Sequence, residues 1–144
     1  MEKNKKPNLN HARTMDIDAW RDRQITKRLK ARLAAQTKDF AERHSADSDE
    51  QLREYVRRRA KALRRMPHPL EIRGGIYLSK RLGDWGRLAK DLGLAPVSHD
   101  RGRKAYKLLR EQEAELFTQE RKAEKEAKRQ QRLQRVRDSK VNKV

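Results

Sequence analysis

The chain has 144 residues, 39 of them Lys or Arg against 21 Asp or Glu, which gives a net charge of +18. Charged residues make up 42% of it and aromatic ones 5%, so one small core with solvated helical extensions is possible and two domains are not. The absence of Cys excludes disulfides, thiolate metal sites and Cys nucleophiles, and the four His residues at 11, 44, 68 and 99 do not fall at ligand spacing. No catalytic residue, metal, cofactor or small-molecule substrate is therefore expected. No apolar run approaches the roughly 18 residues of a membrane span, and the N-terminus lacks the apolar stretch of a leader. The expectation is a non-enzymatic cytoplasmic protein, associated with nucleoid or ribosome, whose charge attracts a polyanion. The excess is spread evenly, at +6 over residues 1–45, +5 over 46–97 and +7 over 98–144.

The pattern predicts an all-α fold: a small helix-turn-helix-like bundle flanked by an N-terminal helix and a long basic C-terminal helix. Residues 1–14 contain Pro7, show no periodicity and read as a disordered basic segment. Residues 15–44 form a helical extension, with Ile25, Leu29, Leu33 and Phe40 as a narrow apolar seam. Residues 46–97 form the module. Ser48 and Gln51 have the spacing of a capping box, and Leu52, Val56, Ala60 and Leu63 follow at spacings of four, four and three. Pro67 and Pro69 end that helix, and Pro69 can open a short one over Leu70, Glu71 and Ile72. Gly74 and Gly75 make a second break before a helix through Ile76 and Leu82, which Gly83 closes. Asp84 then caps a helix from Trp85 to Leu92 that ends at Gly93. Trp85 shares its spacing with Leu88 and Leu92, so it reads as a core anchor. Residues 98–144 read as one long charged helix with a basic tail, which Tyr106, Leu109, Leu116 and Phe117 dock by its first turns. Three clean heptads are missing, so the helix projects into solvent as a possible protein-partner surface instead of forming a coiled coil.

The run from Ala60 to Pro67, then Arg81-Leu82-Gly83-Asp84-Trp85 and Leu92-Gly93-Leu94, resembles the homing-endonuclease-associated repeat over about residues 50–95. Leu82 stands where that family has an aromatic, and Asp84 replaces its Ser as an equivalent cap. There is one copy and no nuclease. The resemblance implies a helix-turn-helix-like DNA-binding module whose short helix from Tyr77 to Leu82 enters the major groove, with Ser79, Lys80 and Arg81 facing bases or phosphates. Gly75-Ile76-Tyr77 copies half of the GIY-YIG nuclease signature without its strands or its second half, and reads as chance.

Arg57, Arg58, Arg64, Arg65 and Arg87 are the phosphate-contact candidates of the module, since guanidinium forks match phosphate oxygens. Lys128, Arg129, Arg132 and Arg135 are those of the basic tail. The expected partner is double-stranded DNA, with structured RNA as the alternative and a protein–protein adaptor as the third reading.

Overall fold

The computed structural model describes residues 9–141 and builds them entirely on helices: α1 Leu9–His44, α2 Asp49–Leu63, a 3-10 turn Pro69–Glu71, α3 Gly75–Leu82, α4 Trp85–Asp91 and α5 His99–Val141. Among these residues there is no strand, as the sequence predicts. One compact unit ends at Arg110 and the remainder of α5 forms a second from Glu111. No helix in the described residues is long and apolar enough to cross a membrane.

Helix α1 begins earlier than predicted. Residues 9–14, expected to be disordered, are helical, because no Pro or Gly interrupts the chain between Asn8 and His44. The same expectation for residues 1–8 lies outside the described residues. The predicted seam holds: Ile25, Leu29 and Phe40 are buried and Leu33 half-buried.

At the start of α2 the Ser48 hydroxyl accepts from the Gln51 N–H at 3.2 Å, and the Gln51 side-chain oxygen accepts from the Ser48 N–H at 2.8 Å. Such a reciprocal cap stabilises a helix by about 1 kcal/mol. The other end departs from expectation. The helix stops at Leu63, not at the prolines, because Arg64 turns left-handed at φ 60°. Its N–H then donates to the Lys61 carbonyl at 3.3 Å and that of Arg65 to the Ala60 carbonyl at 3.2 Å, the Schellman pairing.

The core of the first unit joins Phe40 from α1, Leu52 and Val56 from α2, Met66 and Ile72 from the connection, Leu78 from α3, and Leu88 and Ala89 from α4. Helix α3 is its centre, touching α1, α2, α4 and the 3-10 turn. That closeness requires Gly74 and Gly75. A Cβ on Gly74, already at φ 75°, would lie 2.3 Å from the Phe40 ring, and one on Gly75 would lie 1.7 Å from the Pro69 carbonyl oxygen. Trp85 anchors as predicted, packed against this core with its Nε1 donating to the Pro67 carbonyl at 2.9 Å.

The first turns of α5 match the sequence expectation at Leu109 and depart from it at Tyr106. Ala105 is buried and Leu109 half-buried, whereas Tyr106 is 41% exposed. Arg110 secures the arrangement by pairing with Asp22 and donating to the Thr26 hydroxyl, both on α1. In the second unit Glu113 and Phe117 are buried and Leu116 is exposed.

His68 caps the 3-10 turn as a neutral ring. Its Nδ1 accepts from the Leu70 N–H at 3.1 Å, while Glu71 accepts from the His68 N–H at 2.9 Å. Burial lowers the His68 pKa below the usual imidazole value, against the opposing charge of Glu71. The unfolded chain therefore takes up the proton first. The stabilisation is complete above the ordinary His pKa near 6.5 and declines as pH falls below it. The thermal midpoint should accordingly drop between pH 7.5 and 5.5. His68→Asn, whose side-chain oxygen can accept the same N–H without titrating, should flatten that part of the profile; an unchanged profile would acquit His68.

Candidate nucleic-acid interface

Of the twelve residues predicted to meet phosphate, eleven separate into two groups, and Lys80 stands exposed on α3 apart from both. Arg65, Ser79 and Arg81 are half-buried and engaged by hydrogen bonds within the chain. Arg65 makes a two-pronged pair with Glu71, at 2.8 and 2.5 Å, and the bond to Arg65 is the main reason the Glu71 pKa falls below the usual carboxylate value. The Ser79 hydroxyl donates to the Ile76 carbonyl at 2.9 Å. Arg81 reaches back over the α1–α2 connection, donating to Asp49 at 3.1 Å, to the His44 carbonyl at 3.3 Å, to the Tyr77 hydroxyl at 2.9 Å and to the Asp47 carbonyl. A guanidinium so fully engaged fixes the loop between α1 and α2 and has little left for a base edge.

Helix α3 packs against α1, α2, α4 and the 3-10 turn, and Lys80 is its one exposed residue, while Ile76, Tyr77, Ser79, Arg81 and Leu82 are half-buried. Arg81→Ala should thus lower the thermal midpoint clearly, and Lys80→Ala should leave it nearly unchanged. Equal melting of the two variants in a thermal scan would restore Arg81 to the surface.

The outward group is Arg57, Arg58, Arg64 and Arg87 in the first unit, and Lys128, Arg129, Arg132 and Arg135 in the second. Arg57 is paired with Glu54 and Arg58 lies 3.6 Å from it, but both side chains remain more than half exposed, so Glu54 steadies them without sequestering them. Residues 121–141 are exposed throughout, so the basic tail offers its cations on every side of the helix.

Sequence reasoning passed over Lys61. Arg57, Lys61 and Arg64 stand at i, i+4 and i+7, and together with Ala60, Leu92 and Leu94 they line a groove of about 390 Å³. The spacing was the available signal; what the sequence did not reveal is that the end of α4 closes the other wall. The turn after α4 brings this about, with the Gly93 N–H donating to the Lys90 carbonyl and the Leu94 N–H to the Ala89 carbonyl, both at 2.9 Å. The three cations cover about 10 Å along α2 at 1.5 Å per residue, roughly three base steps of a duplex. Arg87 and Lys90 lie exposed on α4. Among the described residues the large exposed aromatic side chains are Trp20 and Tyr106, too few for a row of base-stacking platforms. Nor does any cluster of three or more acidic or His side chains among these residues have the arrangement to hold a metal ion.

These features define a small all-α protein with a compact helical unit, a cationic groove on α2 and a basic helical tail. No family model matches the chain, and no curated protein or solved structure matches it either.

Proposed function

We propose that this protein is a non-enzymatic binder of double-stranded nucleic acid, with duplex DNA as the first ligand, held by its phosphate backbone. The observation that carries the reading is the exposed set of Arg57 and Lys61 on α2 with Arg64 just past its end, lining one groove, with Lys128, Arg129, Arg132 and Arg135 repeating the chemistry on α5. Lys and Arg at such positions displace the counterions of a duplex, and that release supplies sequence-independent affinity. The resemblance to the homing-endonuclease-associated repeat favours DNA. With α3 enclosed and Arg81 engaged, the binder positions itself on the backbone and carries little base readout.

Structured RNA is the second reading, favoured by that same enclosure of α3, since A-form helices are recognised by shape and backbone. The test is a titration of the intact protein against duplex DNA and against structured RNA of equal charge, at two salt concentrations with unlabelled competitor. Tighter DNA binding with a steep salt dependence supports the first reading. Preference for RNA at both salts supports the second, and no affinity for either at moderate salt removes both.

A further inference from the structure

A second groove lies away from the cationic row, between α1 and α3. Leu33, Ala34, Thr37 and Ala41 of α1 and Ile76 of α3 form its floor, and Lys30, Lys38 and Lys80 stand around it, enclosing about 520 Å³. The floor is apolar in fact as well as by residue type. The Thr37 hydroxyl, its one side-chain polar group, is taken up by the Leu33 carbonyl at 2.7 Å. No carboxylate lines the groove. An apolar channel ringed by one sign of charge asks for an amphipathic occupant of the opposite sign.

We propose that this groove docks an acidic amphipathic helix of a partner protein. The lining runs along α1 from Lys30 to Ala41, about 16 Å at 1.5 Å per residue, which is about three turns of a helix laid beside it. Ala34 and Ala41, two turns apart on α1, leave room for apolar side chains of the incoming helix, and carboxylates flanking those side chains would meet the lysines. A phosphate backbone would gain nothing from Leu33 and Ile76. A small anionic amphiphile would leave most of its surface wet in a groove open along its length. Lys80 accordingly belongs to this surface and not to the duplex-binding row, and a duplex and a partner protein can be held by different faces of the first unit.

The test uses the full-length protein and a fluorescent synthetic peptide of about three helical turns with Leu along one face and Glu on both flanks. The groove is probed by substitution: Ala34 is exposed on its floor, so Ala34→Trp fills part of it without altering charge. Saturable binding that Ala34→Trp weakens by about tenfold or more is the expected result, with a similar loss when Gln replaces the peptide's Leu residues. Replacing Lys30, Lys38 and Lys80 together by Gln should weaken the peptide while leaving duplex affinity nearly intact. Peptide binding indifferent to Ala34→Trp would show attraction by net charge alone and overturn the proposal. So would a loss of duplex affinity in the triple variant as large as the peptide's, or dodecanoate displacing the peptide at lower concentration.

Discussion

Alanine in place of Gly75 should remove a large part of the protein's stability at 25 °C. The added Cβ would lie 1.7 Å from the Pro69 carbonyl oxygen and 2.5 Å from its carbonyl carbon, and these are backbone atoms that no rotamer change can withdraw. Relief requires α3 to part from the 3-10 turn, and that turn is held by the His68 cap and the Arg65–Glu71 pair. Moving α3 also disturbs Leu78, fully buried at the centre of the core. A loss above about 4 kcal/mol is expected, a large share of the 5–15 kcal/mol that small domains possess. Gly83→Ala is the control. Gly83 has φ 78° and ψ −132° with nothing within 4 Å of its Cβ position, so that substitution carries backbone strain alone, about 1–3 kcal/mol. Far-UV circular dichroism during urea titration separates the two. Similar midpoints for both variants would mean that the 3-10 turn yields and that α3 is not wedged against it.

The elements were legible wherever a residue acts on its own neighbours. Ser48 with Gln51, Pro69 at the head of the 3-10 turn and Asp84 before α4 each act within three residues, and the structure shows each in the role its spacing implies. Trp85 was legible too, because its spacing to Leu88 and Leu92 already excludes a solvent face. Arg81 was not. It lies in a basic stretch, and nothing local distinguishes it from Lys80; its partners His44, Asp47 and Asp49 are more than thirty residues away and become neighbours only once α3 crosses the α1–α2 connection. Lys61 was missed for the opposite reason. Its spacing to Arg57 and Arg64 was visible, but a row of cations becomes a groove only when Leu92 and Leu94 supply a wall. Charge in this chain is so abundant that composition cannot rank one cation above another, and three-dimensional enclosure does the sorting.

That sorting makes the tail the place to look for the largest change in binding. Residues 128–144 carry seven basic side chains against Asp138, and the described part of the segment is exposed at every position. Ending the chain after Ala127 should therefore leave the thermal midpoint unchanged and weaken binding to every duplex sequence alike. If each lost cation had met a phosphate, the slope of log affinity against log salt would flatten by up to about 6, at roughly 0.9 per contact. Changing Arg57, Lys61 and Arg64 together to Gln should flatten it by a further amount of up to about 3 on the same scale. Both changes avoid the buried set around Leu78, so a loss of affinity reports on contact and not on folding. A slope unchanged by truncation would take the tail out of contact with the duplex and leave the α2 row alone to account for it. Equal slopes for the intact chain and for the chain lacking both sets of cations would remove backbone binding altogether, and the protein-docking groove on α1 would then be the surface that explains the molecule.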